Sequence, residues 1–306
     1  MQDNTGIQTN KLTKRYPGTT RAAVKNLSLT VKRGEVYGFL GSNGAGKSTT
    51  IRVLLNFLQP TSGQALLLGL DSVDDSVQIK QHIGYLSGDV ALYPKATGRQ
   101  LLDYLGQLHG MRLSPYRKTL EQRFAAELDT PIATLSKGNR QKIGVLQALM
   151  HQPDVLVLDE PTSGLDPLMQ EAFYESITEA KARGAAIFMS SHNLAEAERV
   201  CDRVGILKDG VLLREQAVHG SSLGSTVFRV RFAAPEAVKK LQHAHNLRIV
   251  STEADGTVVL QAAPGVAIKD VLRSLSLYDI KDFTTERIDL ESEFISYYGE
   301  PHEADH

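Results

Sequence analysis

GEVYGFLGSNGAGKSTTIRVLL, residues 34–55, indicates the fold of this chain. An apolar strand (34–40) runs into a glycine-rich loop, and helical spacing follows from Lys47 to Phe57. The loop matches the pattern G-x-x-x-x-G-K-[ST], in which glycines permit a sharp turn and backbone N–H groups face phosphates. The candidate phosphate-binding residues are Gly41, Ser42, Asn43, Gly44, Ala45, Gly46, Lys47, Ser48 and Thr49.

Three side chains of this loop have separate predicted roles. Lys47 neutralises charge on the terminal phosphates, and Ser48 offers its hydroxyl to Mg²⁺. Thr49 caps the helix or contacts the α-phosphate side. The loop therefore predicts a nucleotide site that includes a metal ion.

A second stretch supplies carboxylates for the same chemistry. DVLVLDE (154–160) is an apolar run typical of a buried parallel strand, and it ends in Asp159 and Glu160. We expect Asp159 to hold Mg²⁺ through water and Glu160 to polarise an attacking water as general base. Together with the phosphate loop, this strand predicts a Mg²⁺-dependent nucleotide hydrolase.

Around these stretches, strands and helices alternate up to about residue 210, which indicates an α/β fold with a mainly parallel sheet. The pattern changes after HGSSLGS (219–225). The order strand–helix–strand–strand–helix–strand over 226–287 predicts a small ferredoxin-like α+β domain, followed by a helix at 289–299. The predicted domains are residues 1–220 and 221–306.

Composition limits the function classes. The chain has 306 residues and a formal net charge of -1, which gives no support to nucleic-acid or membrane-surface binding driven by charge. Its one cysteine, Cys201, excludes an intramolecular disulfide and suits a reducing compartment. We find no signal peptide and no run of about 20 apolar residues. If the protein works at a membrane, we expect another chain to supply the membrane part.

Four short motifs extend this interpretation. LSKGN (135–139) resembles the signature loop of one family, and DEPTSGLDP (159–167) resembles its Walker B and D-loop run. SSH (190–192) resembles its switch histidine, and RYPG (15–18) resembles the segment whose aromatic residue stacks on adenine. The chain resembles the ATP-binding cassette (ABC) ATPases. The resemblance covers residues 7 to about 215.

The resemblance implies an ABC cassette of the P-loop NTPase type, with a helical subdomain at about 89–150 and with ATP and Mg²⁺ as cofactors. It implies that Tyr16 stacks on adenine and that His192 acts beside Glu160 in catalysis. Two cassettes of this family pair head to tail, so Ser136 and Gly138 would touch ATP held by the phosphate loop of a second copy or a related cassette.

Two places depart from the family pattern. Lys137 and Asn139 replace the usual glycine and glutamine of the signature loop. In IGYLSGDVALYP (83–94), Gly88 stands where the family has a glutamine that reaches Mg²⁺ or the attacking water. Asp89 is the nearest side chain that could compensate. Slower or differently coupled hydrolysis is therefore an open alternative to ordinary turnover.

The C-terminal segment IDLESEFISYY (288–298) resembles that of ATPase subunits of ABC-2-type exporters. This implies ATP-driven export through a separate integral membrane permease, whose cytoplasmic coupling helices dock beside residues 88–128. The chain would then be cytoplasmic and peripheral on the inner face of the cell membrane. The alternative is a non-transport ABC ATPase acting on ribosomes or nucleic acid. The single cassette and the near-neutral charge disfavour it, and no nucleic-acid partner is expected.

Overall fold

A computed structural model describes residues 4–110, 114–218, 226–233, 247–253, 255–262, 266 and 268–287. The chain divides into two compact units, residues 1–218 and 219–306. The boundary predicted near residue 220 lies close to this division. Each unit is described by itself below.

The first unit contains an antiparallel sheet and a mainly parallel sheet, with helices between the strands. Its strands are β1 (Thr5–Lys14), β2 (Val24–Lys32), β3 (Val36–Leu40), β4 (Ser62–Leu67), β5 (Leu70–Asp71), β6 (Ile83–Leu86), β7 (Val155–Asp159), β8 (Ala186–Ser191), β9 (Arg203–Lys208) and β10 (Val211–Ala217). Its helices are α1 (Lys47–Leu54), α2 (Ser76–Lys80), α3 (Gly98–Leu108), α4 (Pro115–Phe124), α5 (Lys137–Leu149), α6 (Pro167–Ala182) and α7 (Leu194–Val200), with a 3₁₀ turn at Ile132–Thr134.

The larger sheet has the strand order β10-β9-β3-β8-β7-β6. The five strands from β9 to β6 in this order run parallel to one another. The edge strand β10 pairs antiparallel with β9. Every residue of β3 and β8 is buried, as expected for parallel strands covered on both faces. Phe188 packs against Tyr37 and Phe39, with ring centroids 5.9 and 5.1 Å away. The predicted α/β class with a mainly parallel sheet is confirmed.

The strand register brings the predicted motifs to one edge of this sheet. Leu40, the last residue of β3, pairs with Ser191, and Asp159 pairs with Ser190 on the other side of β8. Because parallel strands end at the same edge, the phosphate loop, the carboxylate pair and the SSH segment lie side by side.

Helices α3, α4 and α5 lie within residues 89–150, the region predicted as a helical subdomain. Thr97 and Gln100 form a capping box at the start of α3, and Ser114 caps α4 ahead of Pro115. Helix α5 packs closely on β6: a Cβ placed on Gly84 would lie 2.1 Å from the carbonyl oxygen of Ala148. Only glycine allows this approach, which fixes α5 against the strand that leads to Gly88.

Helix α1 ends earlier than predicted. The sequence pattern extends to Phe57, but the helix ends at Leu54 because Asn56 adopts a positive φ of 55°. A left-handed residue stops an α-helix, and asparagine tolerates this conformation better than most residues do.

The second unit contains a four-stranded antiparallel sheet with the strand order β12-β13-β11-β14. Its described elements are β11 (Thr226–Phe232), β12 (Leu247–Thr252), β13 (Thr257–Ala262), α8 (Ile268–Leu275) and β14 (Ile280–Arg287). This order is that of a ferredoxin-like sheet, in agreement with the predicted fold class. The helices predicted at 235–244 and 289–299 lie outside the described residues.

Candidate active site

The phosphate loop joins β3 to α1 through two glycines, Gly44 and Gly46, whose positive φ would strain another residue. Gly46 has a φ of 113°, and a Cβ there would lie 2.4 Å from the carbonyl oxygen of Ala23. Gly44 has a φ of 82°, and the space where its Cβ would lie is open. No side chain caps the start of α1, so its first N–H groups are left to a ligand.

Lys47 lies under this loop with only 6% of its surface exposed. Its Nζ donates hydrogen bonds to the carbonyl oxygens of Gly41 (2.7 Å) and Ser42 (3.2 Å) and lies 3.8 Å from Oε1 of Glu160. Burial lowers the pKa of Lys47, while the carboxylates of Glu160 and Asp159 act in the opposite direction. The lysine therefore joins the phosphate loop to the carboxylate pair.

The remaining residues of the loop are distributed around Lys47. Ser42, Asn43 and Ser48 are exposed, whereas Ala45 is buried. Tyr16 reaches the same helix, since its hydroxyl lies 3.3 Å from Oγ1 of Thr49. The segment predicted to stack on adenine therefore lies beside the first turn of α1.

The carboxylate pair is held by a residue that sequence reasoning did not assign. Ser190 is fully buried; its hydroxyl donates to Oδ1 of Asp159 and accepts from the backbone N–H of Glu160 at 3.3 Å. The same N–H also donates to the carbonyl oxygen of Ser190. Glu160 has a positive φ of 47°, an uncommon conformation for a glutamate. These hydrogen bonds hold it in that conformation.

His192 completes the group at the sheet edge. Its Nδ1 lies 3.1 Å from Oε1 of Glu160, and 62% of its side chain is exposed. The structure thus brings four predicted residues together: Lys47, Asp159, Glu160 and His192. The exposed face of the histidine leaves the Glu160–His192 pair open to a ligand.

The signature-loop residues lie at the start of α5 and have contacts of their own. Ser136 caps the helix by accepting from the backbone N–H of Asn139 at 3.2 Å. Asn139 donates to Glu127 at 3.3 Å, which is a partner that sequence reasoning missed. Gly138 faces the loop after β7, and a Cβ on it would lie 3.1 Å from the carbonyl oxygen of Gly164.

Gly88 lies against the metal-binding candidate, as the departure from the family pattern implies. A Cβ on Gly88 would lie 3.2 Å from the carbonyl oxygen of Asp159 and 3.8 Å from its carboxyl carbon. The φ of Gly88 is not positive, so the backbone there admits other residues. A side chain at this position would begin beside the carboxylate, while Asp89 is exposed.

This geometry defines a P-loop nucleotide site of the ATP-binding cassette type. A family model described as "ABC transporter" matches residues 24–163. The chain is 38% identical over 215 residues to the bacitracin transport ATP-binding protein BcrA of Bacillus licheniformis, which covers 69% of this chain and 70% of that protein. The chain belongs to the family of ABC transporter ATP-binding proteins.

Two further comparisons agree with this assignment. The chain is 38% identical over 214 residues to the probable multidrug ABC transporter ATP-binding protein YbhF of Escherichia coli, over 68% of this chain but only 36% of YbhF. A solved structure of an ATP-binding subunit of an ABC transporter is 31% identical, with a TM-score of 0.65 over 69% of this chain and 90% of that one. The match thus concerns the cassette and spans about a third of YbhF.

No helix among the residues that the structure describes has the length and apolar character that crossing a bilayer requires.

Proposed function

We propose that this chain binds and hydrolyses ATP as the nucleotide-binding subunit of an ABC exporter, and that a separate membrane permease carries the transported compound. The observation that carries this proposal is the meeting of Lys47, Asp159, Glu160 and His192 at one sheet edge. In the proposed reaction, the oxygen of water attacks the γ-phosphorus of ATP and the bond to the β,γ-bridging oxygen breaks. ADP leaves, phosphate is the second product, and Glu160 accepts the proton of the water.

The residues present fit Mg²⁺ as a cofactor. This ion prefers oxygen ligands and usually keeps several waters while binding one or two protein groups and substrate phosphates. The exposed hydroxyl of Ser48 and the carboxylate of Asp159 are such ligands. When bound, Mg²⁺ would neutralise phosphate charge.

Individual side chains have separate proposed roles in binding and hydrolysing ATP. Lys47 meets the β- and γ-phosphates, and the first N–H groups of α1 bind their oxygens. Glu160 polarises the attacking water, an effect of typically 10²–10⁴-fold. His192, whose Nδ1 lies 3.1 Å from Oε1 of Glu160, orients that carboxylate. Tyr16, beside α1, stacks on adenine.

We further propose that ATP is enclosed between two cassettes. The start of α5 presents Ser136 and Gly138, and a helix N-terminus of this kind favours an anion. In a head-to-tail pair this second helix start meets the γ-phosphate held by the other cassette. ATP then joins the two chains, and hydrolysis separates them.

The surface near Gly88 is our proposed contact for the permease. Large apolar side chains are exposed in and after this loop at Tyr93 (65%), Tyr104 (53%) and Leu108 (65%). Tyr104 and Leu108 are four residues apart on α3 and share a face of that helix, and adjoining exposed apolar groups commonly mark protein contacts. If a cytoplasmic helix of the permease docks here, closure of the cassette pair would move that helix. Docking would also place the chain on the inner face of the membrane.

The names of two relatives support a proposal about the class of transported compound. BcrA is named for bacitracin transport and YbhF for probable multidrug transport. We therefore propose export of a drug-like or peptide-like compound by this chain and its permease. The comparisons give no support to the alternative of a ribosome- or nucleic-acid-directed ATPase.

The test uses Glu160→Gln with Glu175→Gln as control, because Glu175 is an exposed carboxylate on α6. We expect Glu160→Gln to lower the ATPase kcat by about 10²–10³-fold, to keep ATP binding and to accumulate a dimer in MgATP. Glu175→Gln should match the wild type. Turnover, ATP titration and sedimentation velocity measure these effects, and a Glu160→Gln chain that stays monomeric at saturating MgATP contradicts the enclosed-ATP model.

A pull-down from detergent-solubilised membranes tests the transport assignment separately. Recovery of a stoichiometric multi-span protein supports it. Recovery of ribosomal proteins or nucleic acid without a membrane chain overturns it, while leaving the ATPase assignment intact.

A further inference from the structure

A buried carboxylate behind the active site has no role in the reaction described above. Glu196 lies on α7 with 4% of its surface exposed, and burial raises the pKa of its carboxyl group. Within the described residues no cation forms an ion pair with it; two hydroxyls donate to it instead. Because a buried charge is costly unless an opposite charge lies beside it, and hydroxyls do not supply one, the place of this carboxylate calls for a reason.

One of the two hydroxyls belongs to the loop that carries His192. Ser191 donates from its Oγ to Oε2 of Glu196 at 2.6 Å, and the same Oγ accepts from the backbone N–H of Asn193 at 2.9 Å. The side chain of Asn193 in turn accepts from the backbone N–H of Glu196 at 3.3 Å. Ser191 is therefore bound to the carboxylate of Glu196, whereas Asn193 is bound to its backbone N–H as the cap of α7.

The other hydroxyl belongs to the loop that carries Glu160. Thr162 donates from its Oγ1 to Oε1 of Glu196 at 2.8 Å. The backbone N–H of Ser163 donates to the carbonyl oxygen of Glu160 at 3.1 Å, so this loop is a tight turn that includes Glu160. The two oxygens of one carboxylate thus hold the loop of the general base and the loop of the histidine.

We propose that Glu196 is a positioning residue that sets the 3.1 Å approach of His192 to Glu160. The inference rests on the proposed ATPase function, since it assigns Glu196 a task only if Glu160 and His192 act together. Misplacing a catalytic group by about 1 Å can cost about 100-fold in rate. A loss of Glu196 should therefore affect kcat and leave the affinity for ATP, which depends on the phosphate loop, unchanged.

The first test compares Glu196→Ala with Glu196→Gln in the full chain. We expect Glu196→Ala to lower kcat by about 10- to 100-fold while the Kd for ATP changes by less than about twofold. Glu196→Gln should stay within about threefold of the wild type, because its amide can accept from Ser191 and donate to the oxygen of Thr162. Recovery by glutamine separates positioning from a need for negative charge.

The second test uses Thr162→Val, which alone keeps the inference open to failure if Glu196→Ala does not fold; the double variant below applies where Glu196→Ala folds. Thr162→Val removes one hydroxyl without changing the shape of the side chain, and we expect kcat to fall about three- to tenfold. In the double variant Thr162→Val/Glu196→Ala, kcat should equal that of Glu196→Ala, because residues in one network are not additive. Thr178→Val on α6, where Thr178 bonds to its own helix, is the matched control and should keep the wild-type kcat.

Three outcomes overturn the inference. A folded Glu196→Ala or Thr162→Val chain with wild-type kcat shows that the carboxylate does not position the pair. Multiplicative losses in the double variant show that Thr162 acts independently of Glu196. A wild-type chain that does not hydrolyse MgATP overturns the proposed function and this inference with it, whereas the first two outcomes leave the proposed function standing.

Discussion

The two helix starts that we propose to face phosphate, those of α1 and α5, are built differently. Helix α1 begins at Gly46 with no side-chain cap, and its first N–H groups are left for a ligand. Helix α5 begins after Ser136, whose hydroxyl already accepts from the N–H of Asn139. In the proposed arrangement, phosphate would meet uncapped N–H groups at α1, whereas at α5 one N–H is already bonded to the cap. The first start suits tight binding, and the second suits a contact that forms and breaks.

The start of α5 is also tied to the loop after β7 in its own chain. The side chain of Gln141 donates to the carbonyl oxygen of Pro161 at 2.7 Å, and the stem of Lys137 lies beside Gly164. This loop also carries Glu160. The residues proposed to touch a partner's ATP thus rest on the loop that serves the ATP site of their own chain.

The largest effect should come from the lysine of the first helix start. Lys47→Ala removes the buried cation that lies between the loop carbonyls and Glu160. We expect the Kd for ATP to rise at least about 100-fold, because truncating a buried charged contact costs about 2–5 kcal/mol. Isothermal titration calorimetry of the single chain measures this Kd.

Lys137→Ala is the matched control at the second helix start, since it removes a lysine that lies beside Gly164 rather than under the phosphate loop. The Kd for ATP of the single chain should change by less than about threefold, which is about 0.7 kcal/mol. Equal losses in the two variants would contradict the distinction between the helix starts.

Replacing the glycines at the two helix starts should change the free energy of unfolding of the chain by different amounts. Gly46→Ala forces a Cβ to 2.4 Å from the carbonyl oxygen of Ala23 at a φ of 113°. We expect the free energy of unfolding to fall by about 3 kcal/mol, from strain and from the shift of the backbone. Urea unfolding measures this loss.

Gly138→Ala is the counterpart at α5. Its Cβ would lie 3.1 Å from the carbonyl oxygen of Gly164, a tight contact, but φ is not positive and alanine favours a helix by about 1 kcal/mol. We expect its free energy of unfolding to stay within about 1 kcal/mol of the wild type. A loss as large as that of Gly46→Ala would mean that the start of α5 is as rigid as the phosphate loop.

The difference between the helix starts also shows what the sequence can predict. The phosphate loop depends on glycines and a lysine that lie close together in sequence, so the local pattern predicts the loop and the helix that follows it. Ser190 bonds to Asp159, 31 residues away in sequence, and Glu196 bonds to Thr162, 34 residues away. No local sequence pattern indicates such contacts. The bond between Asn139 and Glu127 was missed for the same reason. Parallel register, which brings distant strand ends together, is a property of the whole sheet.

The smallest effect concerns the cap of α5. Ser136→Ala removes the hydroxyl that accepts from the N–H of Asn139, and loss of such a cap costs about 1 kcal/mol of stability. If the same hydroxyl also touches a partner's ATP, the MgATP-dependent dimer of the Glu160→Gln chain should weaken by about tenfold, or about 1.4 kcal/mol. Chemical denaturation measures the first quantity and sedimentation velocity the second.

Ser114→Ala separates the two contributions, because Ser114 caps α4 by accepting from the N–H of Arg117 at 3.1 Å. Both variants lose an equivalent cap, so both should lose about 1 kcal/mol of stability. Only Ser136→Ala should weaken the dimer, since the cap of α4 has no proposed contact with nucleotide. If Ser114→Ala weakens the dimer equally, the effect comes from a destabilised helical region, and Ser136 has no direct part in binding the second ATP.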